Sequence, residues 1–392
     1  KSGRDGRGPR EDAVADRVLI LGASARAAAA SARRAGLEPF AIDLFADADT
    51  EQICDCLRCP PDRYPEGLFE LAKQAPPMPW MYTGGLENYP ELIAELSRER
   101  ELWGNGSDVL TRVRDPFELS AMLTGSALAH PEPRHPGTLL HQDRRWLRKP
   151  SAGSGGFGVR FATPFDQEGP SPGHYFQEFI PGEPFAAVLC AVEGCTIFLG
   201  VSRQLIGSPW LHASNFRYAG SLVVPQSRYG PSWYFHIIGH TLKVEAGIRG
   251  LFGVDCVFAD APYIVEVNPR YPASAEVIEF ATGRPVLASG LEDSTRPTKT
   301  VGKAIYYAPH RLTFPVSGPW ENSVRHAADV WRRPDFADVP HPGEVIEVGH
   351  PVLTILTEAD TEAECLSRLQ SRAVELDRLF GFPTPEGESC RP

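Results

Sequence analysis

The sequence predicts a mixed α/β and α+β protein of several lobes, and three observations support this prediction. With 392 residues, the chain is longer than a single hydrophobic core normally supports. Residues 17–43 have the pattern of a strand, an alanine-rich helix and a second strand, which is typical of a parallel sheet. Residues 185–201 and 252–267 instead contain pairs of short apolar runs separated by tight turns, which predicts hairpins.

The order of these patterns predicts where the lobes begin and end. Residues 1–16 are polar, rich in arginine and lack the apolar stretch of a secretory signal, so we expect a disordered tail. Residues 17–110 are expected to form an N-terminal parallel α/β lobe. Residues 111–290 form a middle domain in this division, and residues 291–392 a small C-terminal α+β lobe.

Composition limits the classes of function. Apolar residues make up 42% and charged residues 23% of the chain, which is typical of a globular protein. The net charge of −11 argues against general nucleic-acid binding. No apolar run reaches the roughly 18 residues of a membrane helix, so we expect no contact with membranes and a cytoplasmic location.

The chain has eight cysteines, which do not suggest a disulfide scaffold in a protein of this size. Cys54, Cys56 and Cys59 lie close together and could hold zinc or an iron–sulfur centre. No second cysteine or histidine pair nearby completes four ligands. We therefore expect free thiols.

The stretch Tyr-Ile-Val-Glu-Val-Asn-Pro-Arg at 263–270 predicts a buried strand with functional polar groups. Glu266 and Asn268 are two residues apart and therefore point to the same face. Asp255 closes an earlier apolar run, and a hairpin would place it beside them. Oxygen ligands of this kind are what Mg²⁺ prefers, so we predict a Mg²⁺ or Mn²⁺ site with Arg270 at its rim. An edge strand with polar ends is the alternative, and it leaves the inward polar groups without a role.

A lysine and a glycine-rich loop follow each other at residues 146–159. Glycines leave backbone N–H groups free to close around phosphate oxygens, while a lysine supplies positive charge. No Gly-Lys-Ser/Thr follows, so this is not a Walker A loop; a flexible hairpin tip has the same composition. Arg148 alternates with the lysine on the strand, and we choose the lysine as the residue facing the ligand. The predicted phosphate-binding residues are Lys149, Gly153, Ser154, Gly155, Gly156 and Gly158.

An acidic and apolar segment with a Pro-Gly turn follows at residues 176–184 and predicts a hinge between lobes. The backbone around its centre could bond an adenine edge, and Glu183 could accept hydrogen bonds from ribose hydroxyls. A surface turn has the same appearance. The predicted adenine-binding residues are Gln177, Glu178, Phe179 and Ile180.

The order of these features resembles the ATP-grasp superfamily. The chain resembles in particular the archaeal and methylotroph carboligases related to biotin carboxylase, which carry strings similar to residues 201–207 and 215–220. The resemblance implies a two-lobed nucleotide clamp with a mobile glycine-loop subdomain at about residues 124–182, and it implies ATP and Mg²⁺ as cofactors.

The resemblance also implies a role for each matching position. Lys149 would hold the α- and β-phosphates and the glycine loop would cover the β- and γ-phosphates. Asp255, Glu266 and Asn268 would bind the metal, with Arg270 near the transferred phosphoryl group. Two positions depart from the pattern. Arg114 stands where the family has an earlier lysine, and Pro184 stands where the ribose acid is often found, one residue after Glu183.

The activity implied is ATP-dependent amide formation between a small-molecule carboxylate and an amine. We predict Arg203 and Arg217 as clamps for the carboxylate or acyl phosphate, with Arg203 also serving catalysis. Surface arginines are the alternative for both. His212, His236 and His240 are candidate proton carriers for the amine, and a structural histidine is the alternative for each.

The family association points to the biosynthesis of a one-carbon carrier of the methanopterin or methanofuran type, and relatives suggest a homodimer. Two other functions stay open. The enzyme could activate bicarbonate, as biotin carboxylase does. Alternatively, the chain could bind nucleotide without turnover, because Arg114 replaces the usual lysine.

Overall fold

A computed structural model describes residues 16–167, 173–293, 297 and 299–382. All but the last residue of the predicted tail, 1–16, lies outside the described residues. Within the described part of the chain, no helix has both the length and the apolar character needed to cross a membrane.

The N-terminal lobe is the parallel α/β unit that the sequence predicts. Its sheet has the strand order β3-β2-β1-β4, with β1 paired in parallel with both neighbours. The apolar residues 18–21 of β1 are completely buried, since helices cover the sheet. The elements are β1 (Arg17–Gly22), α1 (Arg26–Arg34), β2 (Glu38–Asp43), α2 (Ala48–Ile53), β3 (Asp55–Arg58), α3 (Glu66–Gln74), β4 (Trp80–Tyr82), α4 (Pro90–Ser97) and α5 (Ser107–Val113).

The cysteine cluster lies at the edge of this sheet. Cys56 is in edge strand β3, with Cys54 before it and Cys59 after it, and all three are free thiols. Among the described residues, no group of three or more His, Cys, Asp or Glu side chains is arranged to hold a metal ion.

A small antiparallel sheet follows helix α6 (Pro116–Gly125) and lies within the range predicted for the glycine-loop subdomain. Its strand order is β5-β8-β6-β7, and Lys149 is paired with Tyr175. Leu140, Trp146 and Phe176 form its small core. The strands are β5 (Pro133–Arg134), β6 (Trp146–Pro150), β7 (Arg160–Phe161) and β8 (His174–Glu178).

The largest sheet contains eight strands in the order β13-β12-β9-β10-β11-β14-β18-β16. Helix α7 continues into a π-helical turn at Leu242–Ala246 before the predicted hairpin of β12 and β13. The elements are β9 (Glu183–Ala191), β10 (Thr196–Ile206), β11 (Tyr218–Val223), α7 (Ser232–Thr241), β12 (Gly250–Phe258), β13 (Pro262–Asn268), α8 (Ala275–Thr282), β14 (Thr300–Tyr307), β15 (Leu312–Thr313), α9 (Glu321–Arg325), β16 (Phe336–Ala337), β17 (Val345–Ile346), β18 (Pro351–Ala359) and α10 (Glu362–Phe380).

The long C-terminal strands extend this sheet instead of forming a separate one, which differs from our expectation of an independent α+β lobe. Strand β11 pairs antiparallel with β14, and Gly220 lies opposite Ala304. Gly220 has a φ of +146°, and a Cβ there would lie 2.1 Å from the carbonyl oxygen of Lys303. The close approach of β14 therefore requires glycine at this position.

Buried ion pairs join the N-terminal lobe to helix α8. The Arg34 guanidinium donates to the carboxylate of Glu279, and the side chains are only 1% and 0% exposed. Ser31 also donates to Glu279. Burial raises the pKa of Glu279 above its ordinary value, although Arg34 and Ser31 act in the opposite direction. The contact between these parts of the chain thus depends on a paired internal charge.

Arg34→Met is expected to lower the free energy of unfolding by about 3–5 kcal/mol, because it leaves Glu279 buried without its cation. Urea unfolding of the purified protein measures this change. Arg17→Gln is the matched control, since Arg17 and Glu38 form an exposed pair at 3.5 Å. The control should cost less than about 1 kcal/mol. Equal effects of the two substitutions would contradict the importance of the buried pair.

Candidate active site

The predicted hairpin brings the three oxygen-bearing side chains together. Asp255 lies opposite Glu266 in the β12–β13 register, and Gly253 lies opposite Asn268. The Asn268 side-chain amide donates to Asp255 at 2.9 Å. The strands therefore place both carboxylates and the amide oxygen on one face, as the sequence predicts.

This face forms part of a cavity of about 690 Å³. The cavity lies between the N-terminal lobe, the small antiparallel sheet and one face of the large sheet, including the C-terminal strands. Most of the predicted site residues contribute to its wall. They are Lys149, Gly153, Ser154, Gly155, Gly156, Gln177, Glu178, Phe179, Ile180, Arg217, Asp255, Glu266, Asn268 and Arg270.

Two predicted residues lie on the wrong face of their strands. Gln204 of β10 lines the cavity, so its neighbour Arg203 points away and forms an ion pair with Glu362 at 2.5 Å. Pro184 of β9 likewise lines the cavity, whereas Glu183 accepts a hydrogen bond from Tyr229 at 2.6 Å on the far side. The alternation of side chains along a strand thus removes Arg203 from the roles of catalytic residue and substrate clamp, and Glu183 from ribose binding.

A few other predicted residues also lie outside the cavity wall. Gly158 is not in the wall, although its neighbour Val159 is. His212 pairs with Asp377 at 2.7 Å, which is a structural contact, and neither His236 nor His240 lines the cavity.

The acidic cluster is surrounded by arginines. Arg114 forms an ion pair with Glu266. Arg270 donates to the side-chain oxygen of Asn268 at 2.9 Å and to Glu87 at 3.1 Å. Burial alone would raise the pKa of Glu266, but Arg114, Lys149 and Arg270 outweigh it and lower that pKa. Glu266 is therefore an ionised carboxylate at neutral pH.

The negative charge of Asp255 is less well compensated than that of Glu266. Burial, followed by the nearby charge of Glu266, raises the pKa of Asp255 to about 6. The hydrogen bond from Asn268 and the charges of Arg270 and Lys149 lower this pKa but offset only part of the effect. Gln204 also donates to Asp255 at 3.0 Å. A divalent cation would relieve the uncompensated negative charge, and the donor set of two carboxylates and an amide oxygen suits Mg²⁺ or Mn²⁺. The residues present fit such an ion.

Lys149 faces the cavity, whereas Arg148 does not. The Lys149 ammonium donates to Gln177 at 3.0 Å, and Arg148 contacts His174 at 3.2 Å on the other side of β6. Burial would lower the pKa of Lys149, but Tyr175 and Glu266 outweigh burial and raise it. The cavity therefore contains a protonated lysine on the wall that adjoins the acidic cluster.

The hinge backbone is partly engaged in hydrogen bonds. The amide of Glu178 donates to the carbonyl of Glu132 at 2.9 Å, and the amide of Phe179 donates to Arg145 at 2.8 Å. These two N–H groups are thus committed to the small sheet. The amide of Ile180 is therefore better placed than these two to donate a hydrogen bond to the edge of a ligand.

Arg217 is held between two aromatic rings in the cavity wall. Its guanidinium lies 4.8 Å from the ring centre of Tyr307 in β14 and 5.4 Å from that of Phe157 in the glycine loop. Contacts of this kind restrain the guanidinium, which has further N–H groups that can donate to an anion. This geometry suits the predicted clamp.

Three residues outside the predicted set also contribute to the site. Glu87 follows the Gly84–Gly85 turn after β4, at the carboxyl end of a parallel sheet where ligands commonly bind. It does not line the cavity, but it is buried and accepts a hydrogen bond from Arg270. Lys303 and Asp338 come from the C-terminal segment. No local pattern links those two positions to the hairpin, because only the continuous sheet brings them there.

Comparison with known proteins identifies a domain in this chain. Residues 113–274, which include every predicted site residue, match the family model described as the ATP-grasp domain. An uncharacterized protein of Methanocaldococcus jannaschii is 22% identical over 372 residues, which cover 88% of this chain and 89% of that protein.

Solved structures agree in fold. An L-amino acid ligase from Bacillus licheniformis superposes with a TM-score of 0.66 at 17% identity, covering 92% of this chain and 97% of that one. The biotin carboxylase domain of the Hydrogenobacter thermophilus 2-oxoglutarate carboxylase, solved with MgADP and bicarbonate, gives 0.65 at 16% identity, covering 91% and 89%. The chain therefore carries an ATP-grasp domain at residues 113–274, and the predicted resemblance to the ATP-grasp superfamily is confirmed.

Proposed function

We propose that this protein is an ADP-forming ligase that joins a small-molecule carboxylate to an amine. In the first step a carboxylate oxygen attacks the γ-phosphorus of ATP and ADP leaves. In the second step the amine attacks the acyl carbon, phosphate leaves and the amine loses a proton. The observation that supports this proposal best is a single cavity whose wall contains Lys149, the glycine loop, the acidic oxygen cluster and several arginines.

The residues suit phosphoryl transfer because this reaction needs positioning and charge neutralisation more than a protein nucleophile. Lys149 would hold the α- and β-phosphates, and the amides of the glycine loop would cover the β- and γ-phosphates. Asp255, Glu266 and Asn268 would hold Mg²⁺ or Mn²⁺, which neutralises phosphate charge when bound. The backbone of Ile180 would contact adenine.

The acceptor side is formed by the large sheet. Arg217 presents a guanidinium that matches a carboxylate or acyl phosphate bidentately, and Arg270 lies at the rim of the acidic cluster. Formation of a one-carbon carrier of the methanopterin or methanofuran type stays a prediction, as do the homodimer and the cytoplasmic location.

Activation of bicarbonate is the second candidate. The likeness to a biotin carboxylase domain solved with bicarbonate favours it. Release of ADP distinguishes the candidates when purified protein is supplied with ATP, Mg²⁺ and, in separate reactions, pairs of carboxylates and amines or bicarbonate. ADP that depends on both a carboxylate and an amine supports the ligase. If the protein binds nucleotide but releases no ADP in response to any acceptor, it would instead be a nucleotide-binding protein without turnover.

Glu266→Gln should abolish Mg²⁺-dependent ADP formation, because it removes a charged ligand from the acidic cluster while preserving shape. Steady-state assays over a Mg²⁺ series measure the effect. Glu132→Gln is a matched control, since Glu132 pairs with Arg144 at 3.2 Å and lies outside the cavity wall. Unchanged turnover in Glu266→Gln would rule out the cluster as the metal site.

Lys149→Ala should raise the apparent KM for ATP by about tenfold or more, as expected for loss of a charge-assisted hydrogen bond worth roughly 1.5–3 kcal/mol. Arg148→Ala is the control, because Arg148 is the neighbouring cation on the opposite face of β6. A KM that responds equally to both substitutions would argue against a specific phosphate contact.

Gly156→Ala should undock the glycine loop. Gly156 has a φ of +74°, and a Cβ there would lie 1.9 Å from the carbonyl oxygen of Phe216. Gly155→Ala is the control, because Gly155 also has a positive φ but has no atom within 4 Å of its Cβ position. Both substitutions carry backbone strain of about 1–2 kcal/mol, and only the first adds a clash.

Hydrogen exchange at the Tyr218 amide reports the docked state, since this amide donates to Gly155 at 3.0 Å. We expect faster exchange in Gly156→Ala than in Gly155→Ala. Equal protection in the two variants would mean that the loop does not rest on residues 216–218.

A further inference from the structure

Arg114 connects three parts of the chain at the acidic cluster. It follows helix α5, and its guanidinium forms an ion pair with Glu266 of the hairpin. The same group donates to the carbonyl oxygen of Gly153 in the glycine loop at 2.9 Å. It also donates to Asn88 of the N-terminal lobe at 3.3 Å. The side chain is only 15% exposed, so these contacts are made away from bulk water.

The contact with Glu266 conflicts with metal binding. Glu266 is one of the three residues proposed to hold the divalent ion, and the Arg114 guanidinium already neutralises its carboxylate. Two cations that share one carboxylate in a poorly solvated site repel each other strongly. A divalent ion therefore binds Glu266 well only when Arg114 is elsewhere.

A bound nucleotide would offer Arg114 an alternative partner in the cavity. Arg114 and Lys149 line the same cavity, as does the glycine loop proposed to cover the phosphates. A guanidinium matches phosphate oxygens bidentately and binds them at least as well as a carboxylate. The phosphates of a bound nucleotide would thus give the guanidinium a partner other than Glu266.

We propose that Arg114 is a stand-in for the divalent cation: its guanidinium pairs with the Glu266 carboxylate until a nucleotide phosphate attracts it away. The divalent ion then binds together with the nucleotide and not before it. Movement of Arg114 also releases the carbonyl of Gly153, so the exchange of partners is coupled to the position of the glycine loop. This inference rests on the proposed function. It assigns Arg114 a positioning role beyond the phosphate contact expected of the lysine that the family has at this position.

Binding of Mn²⁺ to the full chain tests the inference without any measurement of turnover. Electron paramagnetic resonance reports free Mn²⁺ in titrations with and without ADP. Wild-type protein should bind Mn²⁺ weakly alone and much more tightly with ADP. Arg114→Gln should bind Mn²⁺ alone at least about tenfold more tightly than wild type, because the competing charge is gone. The added effect of ADP should shrink in this variant.

Two further variants make the result specific. Arg203→Gln removes an arginine that pairs with Glu362 outside the cavity, and it should leave Mn²⁺ binding at the wild-type value. Arg114→Lys keeps the positive charge but not the bidentate geometry. It should still suppress binding of Mn²⁺ alone while showing a smaller effect of ADP, and it provides the test if Arg114→Gln unfolds.

The outcomes separate this inference from the proposed function. If wild-type protein binds no Mn²⁺ even with ADP, the assignment of the acidic cluster as a metal site fails. If wild type binds Mn²⁺ equally well with and without ADP, and Arg114→Gln behaves in the same way, only the stand-in role of Arg114 is overturned.

Discussion

An ionised side chain in the interior needs a partner of opposite charge, and this constraint determines how the parts of the chain meet. Arg26 of the N-terminal lobe donates to Glu276 of α8 at 2.6 Å and to Asp338 of the C-terminal segment at 2.8 Å. Arg34 and Glu279 form a second such pair, about two turns further along α1 and about one turn further along α8. Loss of one partner at either place would leave an uncompensated buried charge, which costs about 3–5 kcal/mol. The ion pairs therefore fix the relative position of the elements that surround the cavity.

The same constraint explains how a chain with a net charge of −11 can receive a polyphosphate. Lys149, Arg114, Arg217 and Arg270 all line one cavity, so positive charge is concentrated where phosphate would lie. Of the balancing acids, Glu266 pairs with Arg114 and Glu87 pairs with Arg270. Asp255 instead accepts hydrogen bonds from Gln204 and Asn268. A cleft with low-dielectric walls focuses such a local field even when the surface as a whole is acidic.

Local sequence patterns were enough to predict much of the fold and of the site. The remaining features depend on how distant segments of the chain pack together. The β12–β13 hairpin follows from apolar runs around a short turn, and its pairing of Asp255 with Glu266 was therefore predictable. The roles of Arg203 and Glu183 were not, because both faces of β9 and much of β10 are buried and the sequence shows no alternation that marks the inner face. A shift of one residue in such a strand exchanges the two faces. Asp338 reaches the cavity only through the sheet that the C-terminal strands extend.

The glycine loop links the nucleotide side of the cavity to the acceptor side. Gly156 rests against the backbone of Phe216, and the next residue, Phe157, lies over the guanidinium of Arg217. Arg217 also contacts Tyr307, whose hydroxyl donates to the carbonyl of Tyr218 at 2.7 Å. A loop that closes over phosphates would thus set the orientation of the arginine that faces the acceptor. Phe157 is 70% exposed, so its ring gains little from burial, and its contact with Arg217 links the loop to the acceptor side of the cavity.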